Sequence, residues 1–296
     1  MILELLGPEP DPLRAFSVLL RLVQYVSCLS AAGLAIFAMG FGRMQEAGDA
    51  AACRRLTLAM VAAGLVSSLA WLVAQVALAS GDDPFDAEIW EIMLGSGPGT
   101  SVLVTWAGLI AVAVATQVGR AGLVLGAVGV LAVTASFTQV GHTTQHQPRW
   151  LLATALVVHL LAAAFWAGSL WPLAIASRRA GPRAASMVEA WARAASWVVA
   201  GLVLAGAALA WLLVGQLDLL VTTAYGWSLL TKVALVGTLL GFAAWHRFRL
   251  TPALAAGAPG SGARLAASIR WEIVVMVLVL WAVAEMTSTS PRPEGV

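Results

Sequence analysis

Three of the four histidines in this 296-residue chain fall in one stretch, at His142, His146 and His159, on either side of a short polar turn between two apolar runs. Ionisable and metal-binding side chains are costly at membrane depth and usually have a task or a partner there. If the fourth apolar run stays helical to about His146 before turning at Gln147 and Pro148, His142 and His146 stand at i and i+4. That spacing lets one helix face offer two imidazoles to one ion. His159 then lies roughly 15 Å down the following helix and His142 roughly 7 Å down its own, at 1.5 Å per residue. Helix tilt and side-chain reach can bridge the offset of about 8 Å between them.

Other polar groups are expected at similar depth. Gln139 falls one turn beneath His142, and Lys232 is the only lysine of the chain. Glu285 and Met286 come near the outer end of the last apolar run. A set of His, Glu, Met and Lys in the outer half of a helix bundle is an ion-capture site, and imidazole with thioether favours copper among biological metals. Two rival readings use the same residues. His142 and His159 could be axial ligands of one b-type haem, making the chain an electron-transfer protein or a metal reductase. Alternatively the polar groups are structural, with Lys232 paired to Glu285 and His142 satisfied by backbone carbonyls. His246, followed by Arg247 and Arg249, reads as a headgroup-boundary residue, and Glu272, beside Arg270, as half of a local salt bridge.

The elements that must position these groups follow from composition. Hydrophobic residues make up 60% of the chain and charged ones 11%, with a mean hydropathy of +0.87. That exceeds the apolar share of roughly 45–50% usual for soluble domains, so the chain is all-α and polytopic, with the lipid bilayer as its solvent. A net charge of +2 comes from arginines read as membrane-flanking, with no basic face for nucleic acid. Cys28 in the first apolar run and Cys53 in a basic loop do not suggest a disulfide. The acidic start, with Glu4, Glu9 and Asp11 ahead of Arg14, lacks the features of a secretory signal, so the first run is read as a span.

A helix needs about 20 apolar residues to cross the hydrocarbon core. Eight runs meet this, near residues 15–42, 55–79, 99–118, 121–142, 149–177, 188–214, 225–247 and 267–289, giving an eight-helix bundle. Arginines mark every connection from an odd to an even span, including Arg43, Arg120, Arg178 and Arg264, while the alternate connections carry almost none. The positive-inside rule then puts the odd-to-even connections in the cytoplasm, both termini outside, and His142 and His146 on the outer face. The acidic connection 80–98 has Phe85, Ile89 and Met93 at helical spacing and is expected to form a short interfacial helix. Most of the 13 tryptophans, Trp71 and Trp150 among them, are assigned to interfacial belts. Glycines such as Gly33 and Gly168 allow close helix approach.

A shift of 135 residues lays the first apolar run onto the fifth, pairing Gln24 with His159, Gly33 with Gly168 and Arg43 with Arg178. This suggests a parallel 4+4 duplication, with a four-helix N-terminal half over 1–135 and a second half over 136–296.

The segment from Gly141 to Leu170 resembles the signature of the copper resistance protein D (CopD/PcoD) family. The likeness runs through Gly141, His142, the His159–Leu160–Leu161–Ala162–Ala163 run, Trp166, Gly168 and Leu170. A second match runs through Tyr225, Gly226, Leu229, Lys232, Arg247 and Leu250, and a third through the last helix, with Glu272 at its acidic position. The chain departs from the family at His246, where Asn is usual, and at Leu156, a place often acidic. The resemblance covers 136–291 well and the first four spans loosely. It implies a bacterial inner-membrane protein of copper homeostasis that moves copper from the periplasm toward the cytoplasm, is not an enzyme, and works beside a periplasmic CopC-like copper-binding partner. Copper would meet His142, His159 and His146, with Gln139, Lys232, Glu285 and Met286 shaping the path. The absence of a G-x-x-x-x-G-K-[ST] motif excludes pumping by a P-loop within these residues.

Overall fold

The computed structural model describes residues 12–119, 122–141, 144, 146–179, 181–214, 219–222 and 224–287. Its helices are α1 (Pro12–Phe41), α2 (Ala47–Ser80), α3 (Ala87–Leu94), α4 (Gly97–Ala115), α5 (Gly122–Ser136), α6 (Arg149–Arg179), α7 (Pro182–Val214), α8 (Leu219–Thr222), α9 (Ala224–Trp245), α10 (Thr251–Ala255) and α11 (Ser261–Met286). A π turn, His246–Leu250, joins α9 to α10. Among the described residues there is no strand, and eight helical segments are long and apolar enough to cross a membrane. These are α1, α2, α4, α5, α6, α7, α9 with its continuation through α10, and α11.

α1 and α6 form the centre. They cross at Gly33 and Gly168, where an added Cβ on Gly33 would fall 2.8 Å from the Gly168 Cα. α5 and α11 flank the pair, and each packs on both central helices. α2 and α4 complete one side, and α7 and α9 the other. Gly108 of α4 and Gly129 of α5 meet in the same backbone-to-backbone way. Small residues permit this closeness where lipid gives helices no hydrophobic reason to associate. Hydroxyls inside the spans return to their own helix: Ser27 donates to Val23 O at 2.7 Å, Thr134 to Val130 O at 3.0 Å and Ser177 to Leu173 O at 2.7 Å. Their polarity is thereby satisfied without water.

At the arginine-rich end, Arg179 reaches Glu46 and Asp49, both at 2.7 Å, and Arg183 donates to the carbonyls of Arg43, Met44 and Gln45. The start of α2 is thus tied to the α6–α7 connection. At the other end, α3 begins at Asp86, whose carboxylate caps Ile89 N at 3.0 Å.

Several expectations need correction. The fourth span does not stay helical to His146. α5 ends at Ser136, a 3₁₀ turn covers Phe137–Gln139, Val140 is extended and Gly141 has φ of +85°. The helix expected to carry His142 and His146 at i and i+4 thus ends before them, and His142 itself lies outside the described residues. Phe85 stays exposed, outside the packed face of α3 that Trp90 and Met93 supply. Cys53 is not in a loop but buried within α2. The arginines are not all membrane-flanking, because Arg21 is buried inside α1. Trp71 is also buried, whereas Trp150, Trp197 and Trp211 face outward as a belt requires.

Candidate functional site

The end of the bundle away from the arginine-rich connections, expected from the arginines to be the outer one, holds a cavity of about 750 Å³, here the outer cavity, between α1, α2, α4 and the exit from α5. The exit from α5 brings Gln139, Gly141 and Thr144 to its wall. Gly141 needs no Cβ to adopt its positive φ, so the chain can break out of α5 there. His142 lies outside the described residues. His146 is half-buried in the turn before α6. Thr287, which follows Met286 at the end of α11, lines the same cavity and accepts a hydrogen bond from the Tyr25 hydroxyl at 3.3 Å.

His159 stands eleven residues into α6, counting from Arg149, and faces α7. Its Nδ1 lies 3.3 Å from the Leu202 carbonyl, and its ring rests against Gly206, where an added Cβ would come within 3.1 Å of Cε1. A carbonyl oxygen can only accept, so Nδ1 carries the proton and a neutral ring keeps its lone pair on Nε2. Metal-binding histidines are commonly oriented this way, one ring nitrogen held by a backbone carbonyl and the other left to ligate. Lys232 lies within electrostatic reach of His159. It does not pair with Glu285, whose Oε1 accepts from Trp281 Nε1 at 2.6 Å instead. The second oxygen of Glu285 is buried without a hydrogen-bond donor.

A second polar cluster lies toward the arginine-rich end. Glu272 of α11, 1% exposed, accepts from Trp166 Nε1 at 2.6 Å, and its other oxygen lies 3.4 Å from His246 Nδ1. His246 Nε2 in turn meets the Ser268 hydroxyl at 2.8 Å. These groups border a cavity of about 230 Å³ between α6, α7, α11 and the π turn. The local salt bridge expected between Glu272 and Arg270 is not formed. The π turn inserts an extra residue per turn, which shifts the facing of side chains around it relative to a regular helix. Helical spacing alone therefore misplaces His246.

Sequence reasoning also passed over Arg21. Its Nε donates to the Tyr25 hydroxyl and its Nη1 to Gln24 Oε1, both at 3.0 Å, and its guanidinium lies 4.2 Å from the Trp71 ring centroid. The available signal was a charged residue inside the first apolar run, the same criterion that singled out the histidines.

The structure thus brings Gln139 to the outer cavity, together with Thr287, the residue after Met286. It holds His159 apart, against α7. Among the described residues no three His, Cys, Asp or Glu side chains come together as a ready metal cage.

Comparison with known proteins bears on the family of this bundle. The family described as copper resistance protein D-like, N-terminal domain, matches residues 12–148, and the family described as copper resistance protein D matches residues 185–286. The chain is 29% identical to the copper resistance protein D of Pseudomonas syringae pv. tomato over 309 aligned positions, covering 96% of this chain and 99% of that one. No solved structure matches. The two family matches span both halves of the bundle, and the signature through Gly141, His159 and Trp166 falls on the α5 exit and α6 that build its outer and inner sites. On these grounds this eight-span membrane protein belongs to the copper resistance protein D family.

Proposed function

We propose that the chain is a secondary transporter, not an enzyme, that moves copper ions from the periplasmic side of a bacterial inner membrane toward the cytoplasm. His142 and His146, in the stretch before α6, receive the ion, and His159 takes it within the membrane. Glu285, Met286, Lys232 and Gln139 shape the path. The observation that carries this reading is the hydrogen bond from His159 Nδ1 to Leu202 O, which leaves Nε2 as the ligating nitrogen. Farther in, His246 and Glu272 supply a second imidazole and carboxylate in a buried pair at the opposite end of the bundle. Polar groups at successive depths, each held by its neighbours, suit an ion that must be bound and released more than once. A CopC-like periplasmic protein delivers the copper, as the family resemblance suggests.

Copper accumulation in cells expressing the wild type, His142→Ala or His159→Ala tests the proposal. Uptake should fall in both variants at equal membrane levels of protein. Equal uptake by His159→Ala would remove that residue from the route. The absorption spectrum of the purified protein separates transport from the haem reading, because a bis-histidine haem gives a Soret band and copper passage does not.

A further inference from the structure

The outer cavity carries a charge that the copper route does not use. Arg21 is 5% exposed, within a membrane span, and among the described residues no carboxylate lies within ion-pair reach of it. A buried charge without a counter-ion is strongly unfavourable. The aromatic rings around Arg21, with Trp71 at 4.2 Å, Tyr25 at 5.1 Å and Phe137 at 5.9 Å, stabilise the guanidinium and fix its plane. They do not neutralise it. Of its five N–H groups, one is given to Tyr25 and one to Gln24. The guanidinium borders the cavity, whose wall includes a second arginine, Arg14, seven residues earlier on α1, together with Gln75, Gln139, Thr144 and Thr287. Among the described residues no Asp or Glu lines it.

We infer that this cavity is an oxyanion site, in which Arg21 and its polar neighbours hold the phosphate or carboxylate group of an anionic ligand. A planar guanidinium held by its faces and one edge presents its remaining edge as a fork, and carboxylate and phosphate match that fork. The wall adds amide donors from Gln75 and Gln139. Arg21, with no acid among the described lining residues, favours an oxyanion here, so the ligand class of this cavity is set by the guanidinium and not by the histidines. The group comes either from a phospholipid headgroup of the outer leaflet or from a soluble anion. The inference does not depend on copper transport.

Thermal unfolding of the full-length protein, purified in phosphate-free detergent, tests it. Inorganic phosphate, succinate and short-chain phosphatidylglycerol are added separately, against chloride at matched ionic strength. At least one should raise the midpoint, by roughly 5 °C near saturation. A rise with phosphate or succinate identifies a soluble ligand, and a rise with the lipid alone identifies a headgroup. In Arg21→Gln the half-saturating concentration should increase about tenfold or more, as expected for losing a charge-assisted hydrogen bond. Gln24→Glu keeps the guanidinium and places a carboxylate where Oε1 already accepts from Nη1, so it should melt higher without anion and lose the anion response. No rise above chloride in the wild type overturns the inference, as does an undiminished rise in Gln24→Glu or in a folded Arg21→Gln.

Discussion

Gly33 of α1 and Gly168 of α6 face each other backbone to backbone, and a Cβ added to Gly168 would overlap the Gly33 main chain. These two residues also coincide when the chain is shifted by 135 positions. Helices related by a pseudo-two-fold axis meet at equivalent residues where they cross that axis. The flanking helices follow suit, since α5 and α11 each touch both α1 and α6. We propose two parallel four-helix halves that meet in this way.

The crossing predicts that Gly33→Ala and Gly168→Ala are both severe. The obstacles are backbone atoms, which cannot rotate away as a side chain can. Overpacking of this kind costs about 1–3 kcal/mol or more. Each variant should lower the thermal midpoint and the yield of folded protein, whereas Gly201→Ala, with nothing within 4 Å of an added Cβ, should behave as wild type. Size-exclusion profiles and thermal unfolding in detergent would check this.

Glu272 gives a contrasting case, in which the packing survives and the polar network does not. Glu272→Ala leaves Trp166 Nε1 without its acceptor in a buried setting, at about 1–3 kcal/mol for the unsatisfied group. Glu272→Gln keeps an acceptor for Trp166, so it should retain most of the stability lost in the alanine variant. Trp166 fluorescence should change more in Glu272→Ala than in Glu272→Gln. If the two variants unfold alike, the hydrogen bond at 2.6 Å contributes little.

Much of this architecture was legible because membrane spans announce themselves by run length, and all eight appear near their expected positions. Boundaries shifted where polar residues continue a helix beyond the apolar run, as at Ala47 and Pro182. The site was less legible for local reasons. Val140 and Gly141 end the fourth span early, which no hydropathy pattern reveals, and a π turn re-aims His246. Pairing across helices is invisible in one dimension. Glu272 looked committed to its neighbour Arg270 but finds Trp166, 106 positions away. Arg21 was readable from its position alone and was passed over because arginine was counted only as a topology marker.

Orientation makes its own prediction. If the arginine-rich end is cytoplasmic, a cysteine replacing exposed Glu88 in α3 reacts with a membrane-impermeant maleimide on spheroplasts, and one replacing exposed Ala256 reacts only after permeabilisation. Both native thiols are buried and should give little background. The reverse labelling pattern would put the outer cavity on the cytoplasmic side and invert the proposed direction of copper entry.

Gly206 offers the sharpest test of His159, because it changes the ring's seat and not the ring. A methyl at Gly206 would lie 3.1 Å from Cε1 and 3.3 Å from Nδ1, so Gly206→Ala asks the imidazole to give by a few tenths of an ångström. Gly206→Val asks for more and should push Nδ1 off the Leu202 carbonyl. Loss of such an orienting partner typically lowers metal affinity about 10–100-fold. Copper accumulation should therefore fall modestly in Gly206→Ala and approach the His159→Ala level in Gly206→Val, with both proteins present at wild-type amounts in the membrane. Wild-type uptake by a folded Gly206→Val would mean that the orientation of His159 is a packing detail and that the ion passes elsewhere.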